Sequence, residues 1–471
     1  MTSRDPILHA FDLLARRDPL APLVVSPERK ATVGDVGALA RAAGSRLAER
    51  AFAPGTIVGL AAANGPGFLA SLLALRRAGL IALLLDAQTP GPEARRILEA
   101  LGAPALLRCT GGWPSGPQGW RLAEVPRETT PPETPIFPDT AVLKLTSGST
   151  GAPRGIATPA AALLADDGAL TATMGLSRAD RLLTTLPLSH SYGLSSLALP
   201  ALVRGAVLAI PEEGSLYDPF VTAAQTGATF FPTVPAHLDA LVRMSAPPPR
   251  PPLLRLVITA GAPLAAATSA RFRELFGLPV HVFYGASECG GICYDREGGA
   301  AERGTVGSPV EGVRITLEDG VVTVESPAVA RGYFPDPDDR LAGGRFRAGD
   351  LAVWRHGELA LQGRVDDQVN VKGKKVNPRE VEGVLARLAG VEEAAVLGVP
   401  ARGRSGEALR AVVACRPGRL TAEEVVAWCR GHLSAHKVPR SVILVASLPR
   451  NARGKLDRSA LLALEAQGGH G

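Results

Sequence analysis

Short apolar runs rich in Val, Leu and Ile alternate along the chain with longer stretches whose apolar positions recur at helical spacing. That is the pattern of strands joined by helices in an α/β protein. Leu39, Ala42 and Leu47 predict a helix over 34–50, followed by a strand over 56–61, a helix over 67–79 and a strand over 80–85. Further strands are predicted at 141–145, 181–186, 206–210, 254–259 and 280–284, each ending in a loop of small or polar residues. Ligands of open α/β sheets bind beyond the carboxyl ends of the strands, so those loops are where chemistry is expected. Thr158-Pro159 reads as the N-cap and first-turn proline of another helix.

The pattern changes near Val313 to short alternating strands (321–325, 351–354, 358–361), and changes again near Arg364. From there a helix is predicted at 378–388, strands at 393–399 and 408–415, a helix at 421–433 and a strand at 441–445. The expected architecture is a large N-terminal multi-sheet α/β domain, 1–364, and a small α+β C-terminal domain, 365–471. Proline-rich stretches at 126–138 and 247–252 read as surface connections.

Composition narrows the function. At 471 residues the chain exceeds one compact core, and 46% hydrophobic with 20% charged residues excludes wholesale disorder. The net charge of +6 is dispersed, so no nucleic-acid partner is expected. Seven lysines stand against 44 arginines among the 51 basic residues, so a surviving Lys marks a place where a compact ammonium is needed. The first 22 residues lack the layout of a signal peptide, and the longest apolar stretch, 73–85, is split by Arg76 and Arg77, so no membrane span is expected. Cys109, Cys289, Cys293, Cys415 and Cys429 form no CxxC pair, which argues against a disulfide framework or a zinc site. A cytoplasmic location is the expectation. No G-x-S-x-G elbow is present, which excludes a serine hydrolase of that type.

The strongest local chemistry is Thr146-Ser147-Gly148-Ser149-Thr150-Gly151-Ala152-Pro153-Arg154-Gly155, directly after a predicted strand. Glycines let backbone N–H groups approach an anion, hydroxyls add donors and one cation neutralises charge. The pattern suits phosphate, but no GK[ST] closes it, so it is not a Walker loop.

With the segments that follow in order, the chain resembles the adenylate-forming superfamily of acyl-CoA synthetases, aryl-CoA ligases and peptide-synthetase adenylation domains. The matching segments are Ala260-Gly261-Ala262-Pro263-Leu264, Tyr284-Gly285-Ala286-Ser287-Glu288, Gly304–Pro309, Ala348-Gly349-Asp350, Gly363–Val369 and Asn451–Lys455. The resemblance runs from about residue 20 to 460. The resemblance implies that Thr146–Gly151 with Arg154, where the family usually has Lys, hold the ATP phosphates. It implies that Gly261, Ala262, Pro263, Phe283, Tyr284 and Gly285 flank adenine, with Ser287 beside them. Glu288 would bind Mg²⁺, Asp350 the ribose hydroxyls, and Arg364 the ribose and α-phosphate. Lys455 would bridge the substrate carboxylate and α-phosphate. Asp366 would be the hinge of a mobile C-terminal lid, and Gly373, among Lys372, Lys374 and Lys375, would border the pantetheine arm of coenzyme A.

On the acid side, His190-Ser191-Tyr192-Gly193 resembles the gate beside the acyl tunnel, with His190 the gating group. Amino-acid-activating relatives carry Asp at the position of Tyr192, so an amino acid substrate is not expected. Walls are expected from 230–238, Gly285 and 289–292, with Gly290-Gly291 leaving room, and a neutral fatty or aryl acid is favoured. The resemblance thus implies an ATP-dependent acid–CoA ligase. The alternatives are an enzyme loading the phosphopantetheine of a separate acyl carrier protein, and a non-catalytic nucleotide-binding relative. Chain length of the acid and oligomeric state are not readable from the sequence.

Overall fold

A computed structural model describes residues 5–125, 135–146, 153–211, 218–365, 369–371, 374–400, 407–433, 435–451 and 456–464. The chain divides into two compact units. The larger comprises Met1–Thr316, Thr323–Arg347 and His356–Leu359; the smaller comprises Leu317–Val322, Ala348–Arg355 and Ala360–Gly471. Both mix helices and strands, and the larger holds several sheets, as the hydrophobic pattern predicts.

One sheet of the large unit has nine strands, in the order Ser308–Pro309, Gly290–Tyr294, Val280–Ala286, Leu256–Thr259, Phe230–Thr233, Arg181–Leu183, Val207–Ala209, Pro22–Val25 and Lys30–Thr32. Its central strands run parallel, while Gly290–Tyr294 folds back antiparallel on Val280–Ala286. A second, seven-stranded sheet is ordered Gly332–Phe334, Arg154–Pro159, Thr140–Thr146, Ile81–Leu85, Ile57–Ala61, Ala105–Cys109 and Trp120–Glu124. The largest apolar cluster draws on both sheets, through Leu60, Leu84 and Val142 from one and Leu182, Phe230 and Ile258 from the other, and on helices packed with them. Every position from Pro66 to Leu75 of helix Pro66–Arg77 is buried, as its unbroken apolar run requires.

Helix Val33–Ala48 starts at a capping box, in which Thr32 accepts from the Asp35 amide and the Asp35 carboxylate accepts from the Thr32 amide. Its fully buried stripe is Val36, Ala40, Ala43 and Leu47, one step round from the predicted Leu39–Ala42 line, which flanks it. Thr158 and Pro159 are a correction: both end strand Arg154–Pro159, where Thr158 pairs with Val142, and helix Ala160–Met174 begins after them without a side-chain cap. The strand keeps them because its antiparallel partner satisfies their backbone.

In the small unit, strands Glu393–Pro400, Glu407–Ala414 and Ser441–Val445 form one sheet, antiparallel then parallel. Helices Pro378–Leu385 and Ala422–His432 bury Val381, Leu385, Val425 and Cys429 in the same cluster as Val396 and Leu409. Asn377 caps the first helix by accepting the Arg379 amide at 3.0 Å, and Trp428 ties the two helices by donating to the Val384 carbonyl at 2.9 Å. Among the described residues no helix is long and apolar enough to cross a membrane. All five cysteines are free and buried.

One buried polar link offers a test of the large core. Trp120 Nε1 donates to Ser71 Oγ at 2.8 Å, and Ser71 Oγ donates to the Gly67 carbonyl at 2.7 Å. Ser71→Ala strands the indole N–H in a dry interior, so urea unfolding should show a loss of about 1–3 kcal/mol. A loss under about 0.3 kcal/mol would mean that the indole finds another acceptor.

Candidate active site

Strands Thr140–Thr146 and Arg154–Pro159 form a hairpin with Thr146 opposite Arg154, so both ends of the expected phosphate loop are fixed side by side. Ser147, Gly148, Ser149, Thr150 and Gly151 lie outside the described residues. The Arg154 guanidinium lies over the Tyr333 ring, 4.3 Å from its centroid. It donates to the Asp336 carbonyl at 2.6 Å and approaches the Asp338 carboxylate at 3.7 Å. Hydrogen bonding from Arg340 lowers Asp338 to about 2, so this carboxylate stays charged beside Arg154.

Tyr333 joins this cation to the expected metal ligand. Its strand Gly332–Phe334 pairs with Arg154–Pro159, and its hydroxyl donates to Glu288 Oε1 at 2.9 Å. The Glu288 carbonyl accepts the Ala330 amide at 2.8 Å, which fixes the backbone as well. Glu288 sits on the turn between Val280–Ala286 and Gly290–Tyr294. The neighbouring Ser287 Oγ accepts from Ser191 Oγ at 2.8 Å. Among the described residues no group of three or more His, Cys, Asp or Glu could enclose a metal. A single anchored carboxylate fits Mg²⁺ taken up with phosphate oxygens and water rather than in a protein cage.

Along strand Val280–Ala286 side chains alternate. The buried Phe283 ring packs on Tyr192 with centroids 5.7 Å apart, while Tyr284 points to the opposite face and Gly285 is exposed. Gly261, Ala262 and Pro263 are also exposed, just past strand Leu256–Thr259, with Gly261 at φ +88°, a conformation that favours glycine. Phe283 therefore lends its ring to the interior, and Tyr284 carries the outward aromatic surface.

His190 precedes the short helix Ser191–Gly193, and its Nε2 lies 3.3 Å from Asp86 Oδ2. The loop leading to it is clamped by Asn64, whose amide donates to the Leu186 carbonyl and whose carbonyl accepts the Leu188 amide, both at 2.9 Å. The expectation that Gly290-Gly291 leaves room in the acyl site is corrected. A Cβ on Gly290 would collide with the Asp166 carboxylate, and one on Gly291 would meet Leu170 at 2.6 Å. These glycines admit helix Ala160–Met174 rather than substrate.

Asp166 accepts the Gly291 amide at 2.9 Å, and Lys144 is buried close by, each side chain being 4% exposed. Burial pushes the Lys144 ammonium down while Asp166 and Glu288 hold it up, and burial pushes the Asp166 carboxyl up against bonds from Ser195 and Gly291. Burial also raises the Cys289 thiol well above its usual range, so this cysteine is no nucleophile.

Asp350 and Arg364 belong to the small unit, where the Arg364 guanidinium covers Gly349; a Cβ there would lie 2.7 Å from Arg364 Nη2. Asp366, Gly373 and Lys455 lie outside the described residues. Asn64, Asp86, Asp166 and Tyr333 were not singled out from the sequence; Lys144 alone carried a signal, as one of the seven lysines.

Residues 11–334 match the AMP-binding enzyme family and residues 380–455 the AMP-binding enzyme C-terminal domain. The chain is 30% identical to a feruloyl-CoA synthase of Amycolatopsis sp, over 88% of this chain and 89% of that protein. It is also 30% identical to the probable CoA ligase CCL9 of Humulus lupulus, over 68% of this chain but 65% of that protein, just under two thirds of its length. Its fold matches that of the o-succinylbenzoate CoA synthetase of Bacillus subtilis in complex with an acyl-adenylate, with a TM-score of 0.81 at 23% identity, covering 98% of this chain and 99% of that one.

The Asn64 clamp is testable without substrate. Asn64→Leu removes the acceptor of the Leu188 amide, and hydrogen exchange at that amide should quicken at least about tenfold, the equivalent of roughly 1.4 kcal/mol. Unchanged protection would show that the loop holds itself.

Proposed function

Because the chain belongs to the AMP-binding enzyme family, we propose that it is an ATP-dependent acid–CoA ligase. The substrate carboxylate attacks the α-phosphorus of ATP and pyrophosphate leaves, giving an acyl-adenylate. The thiol of coenzyme A then attacks the acyl carbon, AMP leaves with the bonding electron pair, and the thiol proton passes to water. The single observation that carries this reading is the Arg154–Tyr333–Glu288 chain. In it the guanidinium proposed to meet phosphate and the carboxylate proposed to meet the metal stand one aromatic ring apart.

Mg²⁺ bound at Glu288 would neutralise phosphate charge and favour departure of pyrophosphate. Arg154 suits its place because a planar guanidinium can both stack on Tyr333 and grip phosphate through two N–H groups. Tyr284 offers adenine a flat surface, and Gly261–Pro263 a low one. We assign Lys455 to the adenylation step, Asp350 and Arg364 to the ribose side of the nucleotide, Asp366 to the hinge and Gly373 to the pantetheine arm. For Lys455 the support is charge: the pentacovalent phosphorus gathers negative charge that a placed ammonium stabilises.

The acid is proposed to be fatty or aryl and to carry no α-ammonium. Tyr192, packed on Phe283, presents a ring where a carboxylate would be needed for an amino acid. His190, oriented by Asp86, is proposed to gate the acyl site. The thiol acceptor is coenzyme A, with a carrier-protein phosphopantetheine as the rival acceptor. Five free, buried cysteines suit a cytosolic enzyme.

The test is pyrophosphate release with a panel of carboxylic acids, with and without coenzyme A. Aryl or fatty acids should release pyrophosphate, and coenzyme A should raise turnover without added carrier. A carrier requirement would transfer the reading to the rival acceptor, and no acid-dependent release would overturn it. Lys455→Ala should slow adenylation by about 10²–10³ while still converting supplied acyl-adenylate and coenzyme A to thioester; normal adenylation would remove Lys455 from that step.

A further inference from the structure

The Arg154 guanidinium is held from two sides yet is not fully used. Its place over the Tyr333 ring, 4.3 Å from the centroid, and its bond to the Asp336 carbonyl, at 2.6 Å, fix it beside the end of its hairpin. Its Nε–H is buried and has no hydrogen-bond partner among the described residues. The Asp338 carboxylate faces it: Oδ2 lies 3.7 Å from Arg154 Nη1, too far for a direct hydrogen bond but close enough to balance its charge. The two side chains are 18% and 22% exposed, so water screens the pair only in part.

Asp338 is meanwhile anchored on another residue. Arg340 donates to it from Nη2 at 2.8 Å, from Nε at 3.0 and 3.2 Å to its two oxygens, and from its backbone amide at 2.9 Å. The carboxylate is therefore fastened to Arg340 and only leans on Arg154. A phosphate group carries more charge and takes two N–H groups of a guanidinium at once, so it displaces such a partner from Arg154 without unfastening Asp338 from Arg340. We propose that Asp338 is the internal counter-anion of the phosphate site: it balances the Arg154 guanidinium as pyrophosphate departs, and so eases product release. This rests on Arg154 as a phosphate-binding cation. Because Tyr333 and Asp336 fix the guanidinium in place, its charge is met there, by product or by this carboxylate.

The experiment titrates magnesium pyrophosphate and ATP onto the whole chain by calorimetry, beside thermal unfolding, in Asp338→Asn, Arg154→Gln and the double variant, with Asp339→Asn as the control for net charge. The amide keeps the shape of Asp338 and an oxygen for the Arg340 amide, so the loop should stay folded. Asp338→Asn should bind pyrophosphate about tenfold more tightly, because the guanidinium then lacks its counter-anion. In the Arg154→Gln background the same change should shift affinity less than about twofold, since the cation it acts on is gone. Asp339→Asn, an exposed neighbour of the same charge, should leave affinity as it is. Weaker or unchanged pyrophosphate binding in Asp338→Asn would overturn the proposal, as would an equal gain in the absence of Arg154 or in Asp339→Asn. A merely structural role lowers the melting temperature and shows no coupling to Arg154. A wild type that takes up neither ligand removes Arg154 from phosphate binding and overturns the proposal with it. Should the wild type bind both but activate no acid, the ligase reading falls while these comparisons still decide the role of Asp338.

Discussion

The metal and phosphate roles proposed for the large unit depend on the fixing of one short turn, the link between strands Val280–Ala286 and Gly290–Tyr294. The metal role proposed for Glu288 requires a carboxylate that is held in place. Ala330 holds the Glu288 backbone, Tyr333 one carboxylate oxygen, Ser191 the adjoining Ser287 and Asp166 the Gly291 amide. Those partners come from three separate stretches of chain, around Asp166, Ser191 and 330–333, so the turn is set largely by the tertiary fold.

The two kinds of basic side chain divide the work around it. Arg154 stands at the rim, where its flat guanidinium stacks on Tyr333 and bonds a carbonyl. Lys144 stands in the interior, on strand Thr140–Thr146, almost wholly buried. The planar guanidinium thus takes an exposed, stacked place, as proposed for gripping phosphate, and the compact ammonium a buried one.

Much of this was legible in the sequence because its signals are local. Hydrophobic periodicity located the central strands and helix Val33–Ala48, and the ordered loops after the strands singled out Tyr284, Glu288 and Arg154, the last two of which the structure links through Tyr333. Boundaries failed where burial outlasts regular structure: the run predicted as a strand over 181–186 pairs only over Arg181–Leu183, yet Leu186 is still buried in the following loop. Gly290 and Gly291 were read as open space because a glycine's meaning, room or close approach, depends on what stands opposite. Asn64 and Tyr333 gave no signal because their partners lie 122 and 45 residues away in the chain. Only a fold brings such groups together, and no spacing rule anticipates them.

The route of one oxygen atom tests the central claim, that a carboxylate attacks the α-phosphorus, most directly. The account predicts that an acid labelled with ¹⁸O in its carboxyl group, turned over with ATP and coenzyme A, gives AMP carrying one ¹⁸O on its phosphate. Label recovered in pyrophosphate or inorganic phosphate, with none in AMP, would contradict it.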